Sequence, residues 1–146
     1  MKFTFEGLDI YSKDLEDMAD KLPKMMNSSL YDGAKVLADE VQKEIDGLRE
    51  LEPIQRQGLH DGLGVAKFWT ENGMTVTKIG FDGYNKKYTK RWPKGQPNAM
   101  IARSTIRGTS WMRPNRFTNR AAKNVRRKCV EVMAARFDSE CAKFTK

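Results

Sequence analysis

The strongest constraint on the fold is a stripe of apolar residues between Leu30 and Leu48. Leu30, Ala34, Leu37, Ala38, Val41, Ile45 and Leu48 recur at three- and four-residue intervals, with Asp39, Glu40, Lys43, Glu44 and Asp46 opposite them. That period is the mark of an amphipathic α-helix. A second stripe predicts a last helix that opens at Pro114-Asn115 and runs to about Phe144. Its inward residues are Phe117, Ala121, Val125, Cys129, Val132, Met133, Phe137 and Phe144.

The segments around these helices are shorter. Lys2 to Glu6 alternates, with Phe3 and Phe5 on one side, which predicts a short strand ended by Gly7. Leu8, Tyr11, Leu15, Met18, Ala19 and Leu22 follow helical spacing. Pro23 then interrupts the pattern and opens the second helix, which ends by Pro53. Pro53 to Gly64 is glycine-punctuated and reads as a loop. Val65–Thr70 and Met74–Phe81 are rich in β-formers, and Glu71-Asn72-Gly73 between them predicts a hairpin. In its second arm Met74, Val76 and Lys78 share one face, and Thr75, Thr77 and Ile79 the other. Gly83 to Pro97 reads as an exposed basic loop. Asn98 caps a short helix through Ile106, stopped by Gly108. A chain of 146 residues without repeat or linker is then one domain. Its class is α+β, with long helices packed on a small antiparallel sheet.

Charge divides the chain unevenly. Residues 1–83 hold ten Lys/Arg against sixteen Asp/Glu. Residues 84–130 hold fourteen basic residues and no acidic one, which accounts for the net +8. Such asymmetry points to nucleic acid, or to an acidic protein surface, another copy included. The candidate contact residues are Lys86, Lys87, Lys90, Arg91 and Lys94 in the loop, with Arg113, Arg116, Arg120, Lys123 and Arg127 further on. Tyr84, Tyr88, Trp92, Trp111 and Phe117 are interleaved with them, as in sites where bases stack. Arg116, Arg120, Lys123 and Arg127 share a helical stripe that repels itself unless something negative faces it.

Catalytic and metal chemistry find little support in the residue pattern. The one histidine, His60, stands beside Asp61, and a thiol nucleophile would have to come from Cys129 or Cys141, both in the apolar stripe. Those cysteines are twelve residues apart on one helix, about 18 Å, too far for a disulfide. Two cysteines and one histidine at these separations do not make a zinc site, and no glycine-rich phosphate cradle is present. No apolar run approaches the ~18 residues of a membrane span, and the start lacks a signal peptide's apolar centre. The expectation is a cytoplasmic chain without cofactor, metal or catalysis.

Three stretches carry a family resemblance. Phe3-Thr-Phe-Glu-Gly-Leu-Asp-Ile10 is followed by a helix ending in Leu22-Pro23. The helix containing Ala34-Lys-Val-Leu-Ala-Asp-Glu-Val41 is followed by Pro53 and Gly58-Leu-His-Asp-Gly-Leu63. Ile101 to Ser110 ends in Gly108-Thr109, and Pro114 to Ala122, with Phe117, opens the last helix. In this order they resemble the neck and tail-completion proteins of long-tailed phages, across nearly the whole chain. Gln57 stands where that family has Thr, Arg107 where it often has an acid, and Arg116 and Arg120 where it has prolines. The resemblance implies a non-enzymatic virion protein made in the host cytoplasm. It would form a homo-oligomeric ring, a hexamer, at the head–tail junction. Its partners would be head-completion or connector proteins and tail proteins, with genomic DNA passing through the ring. The alternative is a small basic DNA-binding protein acting through residues 84–130.

Overall fold

The computed structural model describes residues 6–143, with side chains from residue 13 onward except residue 14. The strand expected over Lys2–Glu6 lies outside the described residues save for Glu6, which already begins a helix. The elements run α1 (Glu6–Asp46), α2 (Pro53–Gly62), β1 (Leu63–Val65), β2 (Trp69–Glu71), β3 (Met74–Val76), β4 (Ile79–Phe81), α3 (Asn98–Arg107) and α4 (Phe117–Ala142). The class is α+β.

Helix α1 passes through Pro23 without a break. Proline removes the N–H that would bond the Ala19 carbonyl and normally costs a helix about 3 kcal/mol. Here Pro23 and Ala19 are both exposed, so water can take the freed carbonyl. The expected boundary at Pro23 is therefore absent, and the helix spans 41 residues, about 60 Å.

Helix α4 packs antiparallel along the second half of α1. Asp32 faces Arg136, Gly33 faces Cys129 and Met133, and Glu44 faces Arg120. Met133 lies so close over Gly33 that a Cβ there would fall 2.6 Å from its Cγ. At the far end Glu140 and Lys143 lie beside Lys21 to Ser28. Residues 6–20 of α1 thus project past the described end of α4.

The core sits where the C-terminal part of α1 meets the start of α4. Val41, Ile45, Leu48, Leu51, Leu59, Ile101, Ala102, Phe117 and Ala121 are buried together. The segment Pro53–Gly62, expected as a loop, is helix α2. Its start was readable: Pro53 occupies the first turn, and the Gln55 side chain accepts the Glu52 backbone N–H at 3.1 Å.

The hairpin forms around the expected turn, with Asn72 and Gly73 at positive φ of 52° and 76°. Trp69 pairs with Val76, and nearer the core Leu63 pairs with Phe81 and Val65 with Ile79. Between these ladders Lys67 and Phe68 oppose Thr77 alone, a bulge closed by the Thr77 hydroxyl donating to the Ala66 carbonyl at 2.8 Å. Met74 and Lys78 are exposed and Val76 between them is half-buried, whereas Thr75, Thr77, Ile79 and Phe81 on the other face are all half-buried. The Thr75-Thr77-Ile79 face is the inner one.

Candidate functional site

The basic residues gather at the core end of the molecule, on three supports. The first is the segment from Tyr84 to Pro97, whose ends are bridged to each other. Asn85, only 3% exposed, holds it shut. Its side-chain oxygen accepts the N–H groups of Lys87 and Gln96, each at 3.0 Å, and its amide donates to Gln96 Oε1 at 3.2 Å. Gln55 of α2 donates to the same oxygen at 3.0 Å. Asn98, buried at the start of α3, donates to the Asp82 carbonyl at 2.8 Å. It is the first residue of α3 rather than its cap, which is Pro97.

Two glycines make room for these pins. A Cβ at Gly58 would lie 2.5 Å from Asn85 Cβ, and one at Gly62 would lie 2.3 Å from the Asp82 carbonyl oxygen. Gly58 and Gly62 are one helical turn apart, so they give α2 a flat side on which the segment rests. In the sequence both look like loop punctuation; their i, i+4 spacing behind a Pro53 start is the signal for a closely approached helix face.

The tip of this segment is a tight turn. Thr89 and Trp92 exchange backbone hydrogen bonds at 3.1 Å in both directions, which puts Lys90 and Arg91 at the apex. Arg91 lies over the Trp92 ring, 5.7 Å from its centroid. Lys86, Lys90, Arg91 and Lys94 are exposed, as are Tyr84 and Tyr88. Lys87 is turned back to Glu52 at 2.7 Å.

The second support is the connection between α3 and α4. Gly108 ends α3 with φ 79°, and a side chain there would also meet Pro114 at 2.8 Å. Thr109 and Met112 again exchange backbone bonds, at 2.9 and 3.3 Å, and the Asn115 N–H donates to the Thr105 carbonyl at 2.8 Å. Trp111 and Arg113 project from this turn into solvent. Phe117 does not join the exposed aromatics: it is fully buried.

The third support is α4 itself. Lys123 and Arg127 lie on the face turned away from Ala121 and Val125, with Arg116 just before the helix; all three are exposed. Arg120 stands at the edge of the stripe. Its Nε and terminal nitrogen both donate to Glu44 Oε2, at 3.0 and 2.9 Å. Arg127 reaches Glu131 at 3.5 Å across open solvent, a pair worth little. The Arg120 pair answers part of the self-repulsion from within the same chain. It also shows Glu44 at the α1–α4 seam rather than on α1's outer side. Among the described residues, Arg116 and Lys123 have no carboxylate within ion-pair distance.

His60 lies on α2 beside an open groove lined by Asp39, Glu40, Lys43, Asp46 and Lys128. Among the described residues no group of three or more His, Cys, Asp or Glu side chains could hold a metal ion. Nor is any helix long and apolar enough to cross a membrane.

Cys129 donates its thiol to the Gly33 carbonyl at 3.4 Å. Burial raises its pKa above the ordinary cysteine value, which lowers its thiolate fraction at neutral pH. Iodoacetamide is expected to alkylate Cys129 severalfold more slowly in the folded chain than in urea, as peptide mass spectrometry would report.

Compared with protein-family models, curated protein sequences and solved structures, the chain matches none.

Proposed function

We propose that this chain is a structural, non-catalytic subunit that assembles with copies of itself into a ring at the head–tail junction of a long-tailed phage. The observation that carries the reading is the separation of charge along the molecule. The projecting part of α1, residues 6–20, holds six acidic residues and one lysine. The opposite end carries the basic segment Tyr84–Pro97, the Trp111 turn and the start of α4. A rigid body that is acidic at one end and basic at the other associates head-to-tail, and a rotation that closes makes a ring. Surplus positive charge then faces adjoining neck proteins or DNA passing through. The protein would be made in the host cytoplasm and reside in the virion.

Light scattering and negative-stain imaging of the purified chain, alone and with head-completion and tail proteins, test this. Closed particles of several copies, weakened by added salt, are expected. A monomer under all of these conditions overturns the reading. The second reading, a DNA-binding protein, draws on the exposed Tyr84 and Tyr88 beside Lys86, Lys90, Arg91 and Lys94. It requires isolated protein to bind DNA with an affinity that falls steeply with salt, and no ring.

A further inference from the structure

We infer that Tyr84, Lys86, Tyr88 and Lys90 form a site for single-stranded nucleic acid, the tyrosines stacking on bases and the lysines meeting phosphates. This rests on the second reading, DNA binding, and names the form of the ligand within it. Tyr84 and Tyr88 are 64% and 67% exposed, two aromatic rings left in water rather than put into the core. The residues around them divide by side. Asn85 is buried and Lys87 is turned back to Glu52, whereas Lys86 and Lys90 are exposed. Aromatic and cation therefore alternate on the outside, in the order Tyr84, Lys86, Tyr88, Lys90. A nucleic-acid strand alternates in the same way, with one base and one phosphate per nucleotide.

The site is fixed before any ligand arrives. The Asn85 side chain bends the chain at Lys86 by accepting the Lys87 N–H, and the Asn85 N–H donates to the Gln96 carbonyl at 2.9 Å. Beyond Tyr88 the Thr89 hydroxyl accepts the Trp92 N–H at 3.0 Å. Side chains carried on a pinned backbone lose less freedom on binding. The neighbouring carboxylates oppose a phosphate little, since Glu52 is paired with Lys87 and Asp82 accepts the Gly83 N–H. The site lies at the core end, the length of α1, about 60 Å, from Glu6, and the length of α4, about 39 Å, from Lys143. A duplex keeps its bases stacked on one another, so it offers these rings nothing. An unstacked base covers a ring whatever its identity, and exposed lysines supply the phosphate contacts that a single strand requires. An acidic protein surface would satisfy the lysines, but the rings set between them call for a flat partner at each.

The test titrates the full chain into fluorescent oligothymidylate of about fifteen nucleotides, a duplex of the same length, and polyglutamate, and reads anisotropy. The single strand is expected to bind about tenfold more tightly than the duplex, or better. Tyr84→Ala and Tyr88→Ala should each weaken single-strand binding about tenfold, with duplex binding and the melting curve unchanged, and the Phe variants should keep it. Lys86→Gln and Lys90→Gln should each lower the salt slope of single-strand binding by about 0.7, whereas the tyrosine variants should leave that slope alone. Equal affinity for strand and duplex overturns the inference and leaves the second reading standing. So does full single-strand affinity in both alanine variants. Polyglutamate bound as tightly as the strand, with the same loss in the tyrosine variants, overturns it in favour of an acidic protein. A chain that binds neither nucleic acid overturns both.

Discussion

Phe117→Ala lowers the stability of the folded chain by about 3–5 kcal/mol, the range for emptying a buried aromatic site. Phe117 is the largest fully buried side chain among the described residues. Its ring packs tilted against Phe81, with centroids 6.1 Å apart and planes at 56°. The same cluster contains Ile45 and Leu48 of α1, Leu59 of α2 and Ile101 of α3. One side chain therefore ties the first turn of α4 to the hairpin and to the other helices, and no single neighbour can collapse into the space it leaves. Urea denaturation measures the loss directly, and the melting temperature should fall by roughly 10 °C. A loss under ~1 kcal/mol would mean that α4 is not seated by this residue. The consequence for function is positional. Arg116 and Arg120 flank Phe117 at the start of α4, so a loosened first turn displaces both and breaks the Glu44 pair.

How far the sequence made this legible depended on whether a residue's role was apolar or polar. Burial by periodicity could be read: Ala34, Val41, Ile45 and Leu48 on α1, and Ala121 and Val125 on α4, are buried where the stripes put them. The hairpin turn could be read because Asn72-Gly73 suits positive φ. The run through Pro23 could not, since a proline's cost depends on whether the orphaned carbonyl meets water, and that is tertiary information. Helix α2 was hidden because Gly58 and Gly62 look like breakers. Their use appears only when Asn85 and Asn98 are brought against them from beyond the hairpin. The charge partition was plain in the sequence, yet its geometry was not. Whether acidic and basic halves neutralise each other within one chain depends on the antiparallel register of α1 and α4. That register pairs Glu44 with Arg120 and leaves residues 6–20 beyond the described end of α4.

Gly62→Ala separates the amount of positive charge from its placement. In a solvent-exposed helix the change would stabilise by up to about 1 kcal/mol. Here the new methyl would lie 2.3 Å from the Asp82 carbonyl oxygen and 2.5 Å from Asn98 Nδ2, two atoms that are hydrogen-bonded to each other. Neither is the end of a free side chain, so the backbone entering the basic segment has to move. Overpacking of this kind costs about 1–3 kcal/mol, enough to exceed the helix gain. Gly64→Ala is the matched control, because its Cβ would meet nothing within 4 Å. The expected result is a lower melting temperature for Gly62→Ala alone, with faster proteolytic cleavage between Tyr84 and Pro97. Assembly should weaken too, although every lysine and arginine is retained. Unchanged assembly despite a released segment would move the working contact off Lys86, Lys90, Arg91 and Lys94. It would leave the Trp111 turn and the outer face of α4 to carry it.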